Sequence, residues 1–217
     1  MCFSAPVSFI AGTVLSSAGV ITLKQTKKPK EIPLALIPLL LGIQQLIEGF
    51  VWLSLSWGLP KLNLVTTYGF VFFSHVLWPV FVPLAVFLVE TVPWRKKAII
   101  ACGTLGAAVS LYLLSLIILF PVSSQITCNS IGYFFPSPQL SFPVHAIFYI
   151  IATCLSCLLS SHRLIKLLGI AVVISLIISY YFYTATFASV WCFFSALLSV
   201  IIYLFFKDRN KLKRGKK

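Results

Sequence analysis

Charge is scarce in this chain: Asp, Glu, Lys and Arg together make up 10% of its 217 residues, against about 25% in a soluble domain. That shortage excludes an ordinary aqueous enzyme and a solvated, disordered segment alike. Cysteine is present six times, but four of the six fall inside long apolar runs, which rules out a small disulfide framework. There is no Gly-rich phosphate loop, no His-Glu-x-x-His and no His-x-x-x-His spacing. Nor is there a packed basic face interleaved with exposed aromatics, so the net charge of +13 does not indicate a nucleic-acid partner.

What the sequence has instead is hydrocarbon. Hydrophobic residues make up 59% of it, and its mean hydropathy is +1.02. They fall into seven nearly uncharged runs: 6–23, 32–57, 64–89, 98–120, 140–159, 167–184 and 187–206. Each crosses about 30 Å of hydrocarbon at about 1.5 Å per residue, the shortest standing upright and the longest tilted. The last two are one uncharged stretch whose length as a single helix is about twice the membrane core, so it must fold back around Thr184 to Thr186. The expected fold is therefore all-α, a polytopic bundle of seven transmembrane helices in a single domain over 1–206, with a basic tail over 207–217.

The cations orient it. Lys24, Lys27, Lys28, Lys30, Arg95, Lys96, Lys97, Arg163, Lys166 and the seven of the tail fall in one set of connections, and Lys61 alone falls in the other. The positive-inside rule then places the N-terminus outside and the C-terminus in the cytoplasm. The first run has its cations after it rather than before it, which reads as a retained anchor and not a cleaved signal. The tail is expected to touch anionic lipid headgroups, and the bilayer is the one partner the composition names. Oligomeric state is not legible here. The one long connection, 121–139, is uncharged and aromatic, with Tyr133, Phe134 and Phe135. It is expected to lie across the mouth of the bundle as a lid. A bridge between Cys2 and Cys128, both outside, would pin it.

Polar residues inside such a bundle are the functional candidates, because a charge in hydrocarbon costs roughly 2.5 to 3.5 kcal/mol. Glu31 and Asp208 fall in cytoplasmic segments, and Glu90, beside Arg95 at the end of its span, can reach the interface. His162 is expected at the surface of an inner turn. Glu48 has no such escape. Glu48, His75, Tyr112, His145 and Cys192 come from five different runs, yet each falls about 8 to 16 Å beneath the outer edge. Gln44, Glu48 and Trp52 share one face at helical spacing, with Gln45 three residues from Glu48. The Trp78-Pro79 pair removes a backbone hydrogen bond near His75, and a kink there would open room beside the imidazole. Cys154 and Cys157 are expected to pack.

Three uses of this layer stay open. In a zinc site, His75, His145 and Cys192 would be ligands and Glu48 would activate water. Without metal, Glu48 would exchange a proton with His75 or His145, as a general base or a proton relay does. In a structural network the same groups would only bond to one another across helices. The candidate catalytic residues are thus Glu48 and His75, and the candidate binding residues are Gln44, Gln45, Tyr112 and Trp191. The corresponding functions are a metal-assisted or acid/base hydrolase of a lipid-like substrate, a proton- or solute-coupled transporter, and a scaffold or sensor without turnover.

Several strings extend the reading: Met1-Cys2-Phe3-Ser4-Ala5, Gly42-Ile43-Gln44-Gln45-Leu46-Ile47-Glu48-Gly49, Phe73-Ser74-His75-Val76-Leu77-Trp78-Pro79, Ser160-Ser161-His162-Arg163 and Ser189-Val190-Trp191-Cys192-Phe193-Phe194. Together they resemble a family of uncharacterised bacterial multi-pass membrane proteins. The resemblance implies the bacterial cytoplasmic membrane, implies no activity, and stresses Cys2, Glu48, His75 and Cys192. By analogy, Ser74-His75 also looks like a fragment of the pattern in seven-helix zinc hydrolases such as alkaline ceramidases, but the paired His on the last helix and the Asp of that pattern are absent.

Overall fold

Proline sets the starts of the rods, because its missing N–H is no loss in a first helical turn and its fixed φ is already helical. The computed structural model describes residues 4–127, 129–135 and 144–214. In it α1 spans Ala5–Lys24, α2 Pro29–Ser56, α3 Pro60–Val89, α4 Pro93–Leu119, α5 His145–Leu158, α6 Arg163–Phe182 and α7 Thr184–Asp208. Pro6, Pro29, Pro60 and Pro93 each sit in the first turn of their helix. All but α5 are long and apolar enough to cross a membrane, six in number. The fifth run was expected to begin at Leu140, outside the described residues, and within them its helix is short. The fold-back falls at the 3-10 turn Thr184–Thr186, where it was expected.

The helices meet at two distinct ends. One end gathers the α1–α2, α3–α4 and α5–α6 turns, where most of the cations fall. There His162 Nε2 lies 3.1 Å from the Val89 carbonyl, and its ring stands edge-on to Phe205. The other end holds Lys61 and the α4–α5 connection. The main apolar core lies toward the basic end, around Leu34, Trp78, Ile99, Ile165, Ile202 and Phe206. The first two helices lie in close contact because Gly19 carries no side chain: a Cβ there would stand 2.5 Å from the Leu39 backbone nitrogen. In a bilayer, where lipid tails are as apolar as Leu, such small-residue contacts are what hold helices together.

The long connection is not the simple loop expected. Ser123–Thr127 (β1) and Ser130–Phe134 (β2) form an antiparallel hairpin, with Thr127 opposite Ser130. Asn129 takes the turn at φ 59°, a left-handed conformation that Asn tolerates. The hairpin is tied to the first turns of α3. Asn63 Nδ2 donates to Ser124 Oγ at 2.9 Å, Thr67 Oγ1 lies 2.8 Å from the same atom, and the Val122 N–H donates to Tyr68 Oη. Its inner face is buried: Ile131 packs on Val51 and Trp52, and Tyr133 stacks on Phe70 with centroids 4.4 Å apart. All-α is thus correct for the rods and incomplete for this end of the bundle. The bridge between Cys2 and Cys128 and the remainder of the expected lid, 136–139, lie outside the described residues.

Two helices widen locally. Phe72–Leu77 in α3 and Ile151–Leu155 in α5 are π-helical turns, a feature frequent at functional sites. The first has a legible cause. In a π turn the Ser74 carbonyl would accept from the N–H five residues on, and position 79 is proline. The Tyr149 hydroxyl donates to Ser74 O instead, at 2.6 Å, and Ser110 Oγ donates to the neighbouring Val76 O at 2.8 Å. Gly106 makes room for this arrangement, since a Cβ there would run into the Pro79 carbonyl.

Candidate functional site

The layer of polar residues separates into two groups. The first is a buried carboxyl knot between α2 and α7. Glu48 is 2% exposed and accepts hydrogen bonds from Ser189 Oγ and from Gln45 Nε2, the latter at 3.2 Å. The spacing explains it: Gln45 and Glu48 are three apart on one helix, and α7 turns Ser189 and Cys192, also three apart, toward the same place. Beside them Trp78 Nε1 donates to Gln44 Oε1 at 2.7 Å. Indole nitrogen is only a donor, so this bond fixes which end of the Gln44 amide faces Trp78.

The second group lines a cavity of about 440 Å³ at the hairpin end. Its walls include Ser74 and His75 from the π turn of α3, His145 and Tyr149 from α5, Trp191 and Cys192 from α7, and Tyr133 and Phe135 from the hairpin segment. The size is that of a small-molecule site, as is the balance of many apolar and aromatic walls with few polar groups. Ser74 Oγ lies 2.8 Å from His75 Nδ1, and the imidazole is also hydrogen-bonded to the Val71 backbone. Glu48, Gln44 and Gln45 do not line this space. Tyr133 and Cys192 do line it, and both lie within electrostatic reach of Glu48.

Three expectations change. Tyr112 does not line the cavity and is 42% exposed. The inward stripe of α4 runs through Gly106, Val109, Ser110 and Leu113, and one residue off that stripe is a 100° turn away. The zinc set of His75, His145 and Cys192 does not assemble: among the described residues no three His, Cys, Asp or Glu side chains are placed to hold one ion. His75 gives Nδ1 to Ser74, and the His145 ring stands beside Tyr112, 6.2 Å between centroids. The residues present therefore do not fit zinc. His162 is not a surface residue but a half-buried one, held between Val89 and Phe205 as described above.

Glu90 also differs from its expected place at the interface. It is 1% exposed, and it organises the basic end. Its Oε1 accepts from the N–H groups of Thr91 and Val92 and from Ser161 Oγ, and its Oε2 from the Ser161 N–H, all at 2.7 to 2.9 Å. Arg95 turns instead to the carbonyls of Leu159 and Ser160. Burial pushes the Glu90 carboxyl upward, but the four hydrogen bonds outweigh it and bring its pKa down to about 2. Cys154 and Cys157 are buried thiols in the wall of a second, apolar cavity of about 80 Å³, as packing residues would be. The residue that sequence reading missed is Tyr133, noted there only as one aromatic of a loop. The alternation of the strand, which turns Ile131 and Tyr133 to the same side, was the signal available.

Among the described residues six helices are long and apolar enough to cross a membrane, which by length and composition indicates a multi-pass membrane protein. The chain belongs to a family of unknown function (DUF6629), whose model matches residues 1–217. No curated protein and no solved structure matches it.

Proposed function

We propose that this membrane protein binds a lipid-like small molecule in the hairpin-end cavity and performs metal-free acid/base chemistry on it, with His75 as the acting group. The observation that carries the reading is the convergence of His75, His145 and Tyr149 from two separate helices on one cavity of about 440 Å³, with the imidazole of His75 oriented by Ser74. Nε2 of His75 is the atom that would give or take a proton at a bound carbonyl or hydroxyl. The apolar walls favour a substrate drawn from the bilayer. Glu48, which does not line the cavity, supports the site rather than touching substrate.

In the same reading the bundle has seven spans, α5 being the fifth. The hairpin end faces outside, because Lys61 is the one cation that falls there. The basic tail lies on anionic headgroups, in the bacterial cytoplasmic membrane. The test is extraction of the full-length protein into lipid nanodiscs and identification of the small molecules that accompany it. Wild type should retain a compound that Ala188→Trp, which fills the cavity, loses entirely and that His75→Ala retains several-fold less. Identical contents in wild type and Ala188→Trp would refute the reading.

A further inference from the structure

Two cavities in the bundle share a wall. Tyr149 of α5 and Trp191 and Cys192 of α7 line both the hairpin-end cavity and the apolar cavity of about 80 Å³. The polar hydrogens of the two aromatic residues are spent on backbone: the Tyr149 hydroxyl donates to the Ser74 carbonyl, and Trp191 Nε1 to the Val172 carbonyl at 3.3 Å. Their rings meet edge-on, 5.8 Å between centroids. The partition therefore presents carbon and the Cys192 thiol to the space on either side.

The two sides differ. His75 and His145 border the first cavity, and neither borders the second. Hydroxyls occur in the second lining, but Thr153 Oγ1 donates to the Tyr149 carbonyl and Ser199 Oγ to the Ala196 carbonyl, each on its own helix. The second cavity is also long for its volume. Its lining runs from Leu34 to Leu41 on α2, from Trp78 to Val86 on α3 and from Cys192 to Ser199 on α7, about 10 to 12 Å at about 1.5 Å per residue. An apolar space of this kind stays dry, and while empty it leaves its side chains without contact atoms on one side. So small a volume over such a length suits a thin, unbranched chain and not a compact ring system.

We infer that the ligand of the hairpin-end cavity is a single-chain lipid with an uncharged, oxygen-containing head, and that its alkyl tail passes Tyr149, Trp191 and Cys192 into the apolar cavity. The inference rests on the reading of the hairpin-end cavity as the site of a lipid-like molecule, and it adds which lipid. One narrow slot takes one chain. Among the described residues no Lys or Arg lines either cavity, so a phosphate head would be buried without a cation to pair with. A hydroxyl or an ester carbonyl is matched by the imidazoles. Lipid around the bundle is as apolar as the slot, so the slot selects its occupant by shape rather than by hydrophobic transfer.

Photolabelling of the full-length protein in nanodiscs tests it, with a monododecanoylglycerol that carries a diazirine at the end of its chain. Labelled peptides are mapped by mass spectrometry, and only label that excess unlabelled monododecanoylglycerol suppresses is counted. Label is expected around Cys157 and Leu168, in the slot beyond the partition. It should fall several-fold in Ser195→Phe and in Val82→Phe, which obstruct the slot from α7 and from α3; neither residue lines the hairpin-end cavity. The wild-type map decides the matter whether or not those variants fold. The lysophosphatidic acid of the same chain should compete several-fold less well, and equal competition would overturn the uncharged head. Suppressible label confined to walls of the hairpin-end cavity such as Phe187, and lost in Ala188→Trp, would overturn the path of the tail and leave the reading of that cavity intact. No suppressible label in either cavity would overturn the inference, while the reading of the hairpin-end cavity is decided separately, by the co-purifying compound that Ala188→Trp should lose.

Discussion

Replacing Glu90 by glutamine tests the account of the basic end quantitatively. A carboxyl that titrates at about 2 in the folded protein and at 4.5 in the unfolded chain contributes about 3 kcal/mol of stability through that difference. This is an upper figure, since the turn borders headgroups and water that screen it. The sign follows from which state binds the proton first. Because the folded pKa is depressed, the contribution is complete above about pH 4.5 and is lost as pH falls toward 2, where folded and unfolded chains are both protonated. Glutamine keeps the shape but places an NH₂ group where Oε2 now accepts from the Ser161 N–H, so two donors would face each other. Glu90→Gln should therefore be about 2 to 3 kcal/mol less stable than wild type at pH 7, and the gap should narrow below pH 4.5. Equilibrium unfolding in mixed micelles, followed by tryptophan fluorescence from pH 2 to 7, measures it. A gap that is absent at pH 7, or that persists undiminished to pH 2, would refute the reasoning.

Two further outcomes are expected. Gly106→Val should fold poorly or not at all, because its side chain must displace the Pro79 carbonyl or the α3–α4 contact; overpacking of this kind costs about 1 to 3 kcal/mol or more, read as lost monodisperse protein in size-exclusion chromatography. Glu48→Gln and Ser189→Ala should be coupled by about 0.5 to 3 kcal/mol in a double-mutant cycle of unfolding free energies; strict additivity would show that the bond between them contributes nothing.

The rods were legible because bilayer thickness fixes their length and charge marks their ends. The differences at the boundaries have one cause. Reading by hydropathy trims α3 to Leu64 and α4 to Ala98, whereas the helices begin at Pro60 and Pro93, because proline starts a helix through residues such as Lys61 and Lys96 that hydropathy assigns to the connection. His75, His145 and Cys192, which the depth argument grouped, line one cavity, but level is not direction. An error of one residue in helical phase turned Tyr112 outward, and Glu48 is absent from the cavity wall that Tyr133 shares with the imidazoles it was paired with. That wall arrives from a hairpin folded over from outside the helical pattern, and no helical periodicity could have announced it. The π turn was half visible: Trp78-Pro79 announced a lost hydrogen bond, while its replacement by Tyr149, 75 residues away from Ser74, depends on tertiary placement.

That replacement has a consequence for how the molecule is built. The carbonyls of Ser74 and Val76 are satisfied by hydroxyls from α5 and α4, helices that leave the ribosome after α3. An α3 newly delivered to the lipid has neither donor, and since Pro79 leaves one carbonyl of this turn without an N–H in either winding, the preference for the wide turn over the narrow one comes from those later hydroxyls. The pocket that contains His75 is likewise walled by α5 and α7, so it is complete only when those later helices have arrived beside α3.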